Sequence, residues 1–219
     1  MLTLVGLSHL DLDSYTRLNV LLTHLKPSVI GIEDTKQDFE EISNLIKISS
    51  NSKIFEKAIT YSKKKYPGAN PETLKQWLSS TYGDYKAIIE YSNANFVQIV
   101  HCDNPQVLEK IDFESEANDS KSSLNKTLDN FLRLSPNAAR LDIANEYSLS
   151  KYPVNDCEEL VEFYQARDNF SEQILRSQTK NTVYVCGLDH IFGDYRPNLF
   201  DRLKDLQPKR IKLCEADYL

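Results

Sequence analysis

The two ends of this 219-residue chain carry the same pattern, which limits the folds open to it more than any other feature does. At each end an apolar run reaches a glycine, and a histidine follows three residues later: Gly6 and His9 in the first copy, Gly187 and His190 in the second. Both copies continue with helical spacing, a proline, another apolar run and a closing glutamate. The separation between the histidine and this glutamate is 24 residues in the first copy and 25 in the second. We interpret the ends as one strand–turn–helix–strand unit used twice. We expect the two strands that end at the glycines to lie side by side, related by an approximate two-fold axis.

Short apolar runs alternate with helical spacing along the chain, and this alternation predicts an α/β fold. We expect strands over residues 2–5, 29–32, 95–100, 182–186 and 210–214, and a helix over residues 199–206 in the second unit. Strand–helix–strand units of this kind make parallel pairs with right-handed crossovers. The predicted architecture is a mostly parallel central sheet with flanking helices, two pseudo-symmetric βαβ units at the termini and a largely helical middle. We expect residues 1–219 to form a single domain, with a helical excursion over about residues 50–180.

Composition excludes several classes of partner. The net charge of −6 argues against broad binding to nucleic acid, since that binding depends on Lys and Arg neutralising phosphates. The four cysteines form no C-x-x-C pair, which argues against a zinc knuckle. The chain opens without a basic and apolar leader, and no run approaches the roughly 18 apolar residues of a membrane span. We therefore expect a cytoplasmic protein with no nucleic-acid partner and no membrane span, while its oligomeric state stays open.

The position of the repeated histidine suggests a function. Ligands of open parallel sheets bind outside the carboxyl ends of the strands. A histidine three residues beyond a strand-terminal glycine lies at that edge, and Glu33 ends the second strand at the same edge. A lone histidine in such a turn is commonly structural, whereas two in matched positions favour a shared functional role.

At these residues the sequence resembles the TraB/TIKI family, which belongs to a wider group with erythromycin-esterase-like and ChaN-like proteins. The family pattern runs from a Gly-x-x-His turn through a lysine–proline pair to a glutamate, here from His9 to Glu33. A second such turn stands near the C-terminus, here ending at His190, and an Arg-Asp pair precedes it, here Arg167 and Asp168. The resemblance covers both ends of the chain and is faint over residues 44–181.

The third strand departs from the family pattern. It ends near Asp103, which matches the family's terminal aspartate. The family usually has arginine after that aspartate, but this chain has Asn104. The resemblance therefore carries no firm role to this position.

The resemblance implies a metal-dependent, peptidase-like hydrolase that acts on a peptide or small-molecule substrate. By the same resemblance His9 and His190 are ligands of a divalent ion (Mn, Co or Zn), Glu33 is a third ligand or the general base, and Arg167 stabilises negative charge on the substrate. Imidazole and carboxylate are common ligands of such ions, which lower the pKa of bound water toward ~7. The second-rank candidates are Asp103, Asp189 and Glu215.

Two other readings stay open. The first is a metal-free, esterase-like hydrolase in which histidine and glutamate activate water directly. The second is a non-catalytic protein that binds a peptide, haem or signal molecule. Metal analysis separates the first from the metallohydrolase, and a haem absorption band would reveal haem binding.

Two spatial expectations follow for the candidate site. Burying the permanently charged Arg167 is costly without a carboxylate partner, and Glu33 is the partner we expect. We also expect His9 and His190 to converge on one site, because each follows a buried strand at the same edge of the sheet.

Overall fold

The computed structural model describes residues 1–49, 51–104, 126–153 and 158–219, and its centre is a single parallel sheet. The five strands are β1 (Leu2–Leu7), β2 (Val29–Ile32), β3 (Gln98–His101), β4 (Thr182–Gly187) and β5 (Lys209–Lys212). Their order is β3-β2-β4-β1-β5, and every pairing is parallel. The expected α/β fold with a parallel sheet and flanking helices is confirmed.

Helices make up most of the remaining described chain. They are α1 (Ser14–Leu25), α2 (Lys36–Ser49), α3 (Ser52–Lys65), α4 (Pro71–Ser80), α5 (Gly83–Asn95), α6 (Pro136–Ser148), α7 (Glu158–Arg176), α8 (Leu188–Phe192) and α9 (Leu199–Arg202). Residues 126–133 are also helical. Helix α1 packs against α5, which carries the start of α5 toward the sheet edge. In the described ranges, no helix is long and apolar enough to span a bilayer.

The two strands that end the repeated motif are the most deeply buried. All six residues of β4 are buried, and so are five of the six in β1. A strand that is covered on both faces has a continuous apolar sequence, whereas a strand with one face in water alternates apolar and polar residues. The sequences of β1 and β4 follow the continuous pattern. These strands therefore form the centre of the core, and their carboxyl ends open at one edge of it.

The two strands that end at the motif glycines lie side by side, as expected. Strands β1 and β4 pair directly, with Gly6 opposite Cys186 and Leu7 opposite Gly187. Four neighbouring strands, which belong to the two terminal units, have the order β2-β4-β1-β5. Exchanging β1 with β4 and β2 with β5 gives the same order read from the opposite edge, as a two-fold axis between β1 and β4 would. An approximate two-fold relation between the two units agrees with that order and stays a prediction.

The segments that follow the two motif strands differ. Beyond β1 the chain turns before it forms the 12-residue α1, whereas α8 begins directly at the end of β4. The single helix predicted over residues 199–206 is wrong in extent, because the structure has the short α9 and a separate 3-10 turn, Lys204–Leu206. Leu203 between them leaves the helical range (φ −96°, ψ 6°), and the last turn tightens to 3-10 as helix ends commonly do.

Two strand boundaries also need correction. The third strand was expected from residue 95, but Asn95 is the last residue of α5 and Phe96 ends that helix in the left-handed conformation (φ 54°). The fifth strand was expected to reach residue 214, but a 3-10 helix begins at Leu213. The main-chain N–H of Lys212 donates to the Glu215 carboxylate (2.8 Å), and this cap turns the chain away from the sheet.

Candidate functional site

A cavity of about 160 Å³ opens at the carboxyl edge of the sheet. Its walls come from the ends of β1, β2 and β4, the start of α5 and the middle of α7. The polar side chains that line it are His9, Glu33, Asp34, Asp84, Tyr85 and Arg167. Of the four leading site candidates from the sequence, His9, Glu33 and Arg167 therefore line one cavity, and His190 does not. The cavity lies at the edge where open parallel sheets bind ligands.

Glu33 is held by one hydrogen bond and two ion pairs. Its Oε2 accepts a hydrogen bond from the main-chain N–H of Gly187 (2.6 Å), while Oε1 lies 2.8 Å from Nη2 of Arg167 and 3.1 Å from Nε2 of His190. Burial by itself would raise the pKa of Glu33, but the positive charges of His190 and Arg167 hold that pKa well below its ordinary value. Glu33, which directly follows β2, is therefore expected to be ionised at neutral pH.

The expected contact between Arg167 and Glu33 is confirmed. The guanidinium reaches from α7 to the sheet edge, where it also binds Asp103 through Nε (3.1 Å) and Nη2 (2.6 Å). Burial opposes the charge of Arg167, and the carboxylates of Glu33 and Asp103 raise its pKa above the ordinary value. Asp103, a second-rank candidate, is buried and serves as the second counter-charge of this arginine.

His190 lies in a fully enclosed contact network. Its Nδ1 is 2.5 Å from Oδ1 of Asp168, whose Oδ2 accepts a hydrogen bond from the Tyr195 hydroxyl (2.7 Å). The Tyr164 ring meets the imidazole edge-on, with 5.2 Å between ring centroids. Burial would lower the pKa of His190, but the charges of Glu33, Asp189 and Asp168 raise it well above the ordinary value. These surroundings favour the protonated ring.

His9 has the opposite surroundings, although its motif is the same. Its side chain is exposed and lines the cavity, whereas His190 is buried. A β-carbon added at Gly187 would lie 3.3 Å from Nε2 of His9 and would overlap Oδ1 of Asp189. Glycine at this strand end therefore leaves room for His9 beside the second motif. His190 is not among the residues that line the cavity, so one site shared by the two histidines stays a prediction.

The other second-rank candidates serve local structure. Oδ1 of Asp189 accepts a hydrogen bond from the His190 main-chain N–H (3.1 Å), and its carboxylate also accepts one from the Tyr164 hydroxyl. Glu215 is exposed and caps the C-terminal 3-10 helix through Lys212. Neither side chain is among those that line the cavity.

Sequence reasoning missed three cavity residues. Tyr85 donates a hydrogen bond to Oδ2 of Asp34, and Asp84 stands beside Tyr85 in the first turn of α5. Burial raises the pKa of Asp34 to about 7, and the neighbouring charge of Glu33 acts in the same direction. Burial also raises the pKa of Asp84, against the opposing effect of His9. Asp34 could have been found because it directly follows Glu33, but no local signal marks the two residues of α5.

The donor set does not match the expected metal centre. Within the described ranges, no group of three or more His, Cys, Asp or Glu side chains is arranged to hold an ion. Both nitrogens of His190 face carboxylates, and a protonated imidazole has no lone pair for a metal. The donors that face open space are His9, Asp34 and Asp84.

Comparison with known proteins adds no relative, since no protein-family model, curated protein or solved structure matches this chain. The resemblance to the TraB/TIKI family rests on the two Gly-x-x-His motifs and the residues around them, and it stays a prediction.

Proposed function

We propose that this protein is a hydrolase that activates water with cavity carboxylates and does not require a metal ion. One observation carries the proposal: Glu33 and Asp34 are consecutive residues in one cavity with contrasting surroundings. Glu33 is bound by two cations and a main-chain N–H, whereas Asp34 has a tyrosine hydroxyl as its hydrogen-bond donor and carboxylates as its charged neighbours. Pairs of acids whose surroundings separate their pKa values are typical of acid–base catalysis.

We assign the general base to Asp34 instead of Glu33. A general base works best when its pKa is near the working pH, and burial raises the pKa of Asp34 to about 7. Asp34 takes a proton from water as the water oxygen attacks the substrate carbonyl carbon. The same carboxyl then gives that proton to the leaving group as the scissile bond breaks. Glu33 holds Arg167 in place and stays ionised throughout.

Arg167 is the candidate group for stabilising negative charge. Its Nε and Nη2 bind Asp103 and Glu33, and Nη1 has no hydrogen-bond partner in the part of the chain that the structure describes. The side chain lines the cavity, so this nitrogen can donate to an oxygen that becomes negative during the reaction. The cavity volume of about 160 Å³ suits a small molecule or the reacting end of a peptide.

The test is hydrolysis of a panel of nitrophenyl esters and short peptides by the purified chain and by Asp34→Asn. We expect the variant to lose about 100-fold or more in kcat, the usual contribution of a general base. The matched control is Asp205→Asn, because Asp205 is an exposed aspartate that pairs with Arg176 outside the cavity. Equal turnover by wild type and Asp34→Asn would overturn the assignment, and binding without turnover would favour a non-catalytic protein.

A metal-dependent version is the second candidate, because the His9 imidazole lines the same cavity as the carboxylates of Asp34 and Asp84. These side chains would have to move together to bind an ion, since no three such groups in the described residues are arranged to hold one. Imidazole and carboxylate together suit Mn, Co or Zn. Metal analysis of the purified protein and chelator treatment distinguish the two versions. Chelation that abolishes turnover, restored by one ion and weakened by His9→Ala, would favour the metal-dependent version.

A further inference from the structure

His190 is held between two carboxylates deep in the protein. Its Nδ1 lies 2.5 Å from Oδ1 of Asp168, and its Nε2 lies 3.1 Å from Oε1 of Glu33 as an ion pair without hydrogen-bond alignment. The side chains of His190 and Asp168 are 2% and 0% exposed, so water is not available as a replacement partner. A neutral ring would turn a lone pair toward one of the carboxylates, and the contact would become repulsive. With both carboxylates ionised, this geometry therefore favours the doubly protonated ring.

Asp168 is itself fixed from its other side. Its Oδ2 accepts the hydroxyl hydrogen of Tyr195 at 2.7 Å. The ring of Tyr195 stacks on Tyr164 at 5.5 Å, and Tyr164 contacts the edge of His190. Both carboxylate oxygens of Asp168 therefore have one defined partner each, which allows a single orientation of the imidazole.

We propose that Asp168 and Tyr195 are positioning residues that act on the cavity through His190. They hold Nε2 of His190 against Glu33, and this keeps Glu33 in contact with Arg167 and with the Gly187 amide. Neither residue lines the cavity, so neither touches the substrate. Charges alternate along the resulting chain of contacts, which runs through Asp168, His190, Glu33, Arg167 and Asp103. The consequence for turnover rests on the proposed hydrolase, whereas the positioning does not.

Selective labelling of the histidine rings with ¹⁵N tests the positioning, because the chain has four histidines. His190 is the buried one with a strong hydrogen bond to a carboxylate. We expect its Nδ1–H to give a far-downfield proton resonance that exchanges slowly with water. Asp168→Asn should abolish this resonance, Tyr195→Phe should shift it, and Asp205→Asn should leave it unchanged. A wild type without the resonance, or Asp168→Asn with an unaltered one, would overturn the proposal.

Tyr195→Phe keeps the buried charge pair, so it gives an answer even if Asp168→Asn fails to fold. An unchanged resonance in folded Tyr195→Phe would remove Tyr195 from the network.

In the hydrolysis assay we expect Asp168→Asn to lower kcat by about 100-fold with little change in KM, since small misplacements of catalytic groups have effects of that size. The resonance needs no turnover. Absence of hydrolysis in the wild type would therefore count against the proposed function alone.

Discussion

Nη2 of Arg167 lies 2.8 Å from Oε1 of Glu33 and thereby joins the middle of α7 to the end of β2. Both side chains are about six-sevenths buried, at 14% and 15% exposure. Asp103 binds the same guanidinium, so Arg167 is a counter-charge of two carboxylates at the sheet edge. This relationship makes the site both a functional candidate and a determinant of stability.

Replacing Arg167 with leucine should strongly destabilise the protein. Removing one partner of a buried ion pair typically costs about 3–5 kcal/mol. Here the buried carboxylate of Asp103 would lose its counter-charge. Urea unfolding measures the change. The control is Arg176→Leu, since Arg176 forms exposed pairs with Glu172 and Asp205 and should change the midpoint little. Equal effects of the two variants would show that the Arg167 network contributes nothing special to stability.

Gly187→Ala should disturb the site directly. The added β-carbon would overlap the Asp189 carboxylate and approach Nε2 of His9 to 3.3 Å. We expect a loss of about 1–3 kcal/mol, as for other overpacked sites, together with reduced turnover. Gly68→Ala is the control, because its β-carbon would meet the flexible end of the Arg133 side chain at 3.0 Å. Thermal unfolding of both variants is the measurement, and a Gly187→Ala protein as stable as wild type would contradict the close approach.

Asp34 should make stability fall as pH rises. Its pKa is about 7 in the folded chain against 3.8 for an unperturbed aspartate, and burial is the largest cause. The folded state therefore holds its proton more tightly, and the stabilisation present below about pH 4 is lost as pH rises through 7. We expect Asp34→Asn to be more stable than wild type at pH 8 and similar at pH 4. Denaturant titrations at both pH values test this, and an unchanged difference between them would contradict the elevated pKa.

Tyr85→Phe should move the pH dependence of hydrolysis. The Tyr85 hydroxyl hydrogen-bonds the ionised carboxylate of Asp34 and so lowers its pKa against the larger effect of burial. Without that donor the pKa of Asp34 rises, and the acidic limb of the kcat/KM profile should shift to higher pH. Tyr61→Phe is a suitable control, because Tyr61 is exposed at 69%. If the acidic limb of the Tyr85→Phe profile shifts to lower pH or does not move, Asp34 is not the group whose ionisation controls the rate.

Several features of the fold could be predicted from local pattern. The apolar runs that end at Gly6 and Gly187 indicated two central strands, and the structure pairs these strands directly, with Leu7 opposite Gly187. Burial of a permanent cation demands a counter-charge, so the contact between Arg167 and Glu33 could be predicted from the sequence. Such inferences succeed because strand burial and charge pairing follow from residue type and sequence spacing.

Local pattern could not separate the two histidines. His9 and His190 occupy the same position in the same motif, yet one is exposed on the cavity and the other is buried between two carboxylates. The difference depends on Asp168 and Tyr195, which lie outside the motif and reach His190 through packing of α7 and the chain beyond α8.

The sequence by itself determined the central strands, the edge where they end and the charged residues at that edge, because each depends on residue type and short-range spacing. Only the tertiary structure decided the protonation of His190 and the entry of Asp84 and Tyr85 into the cavity. Packing of α5 on α1 brings these two residues beside Asp34, which is 51 positions from Tyr85 along the chain. The pKa of each group depends on its burial and on the charges around it, and those neighbours come from distant parts of the sequence.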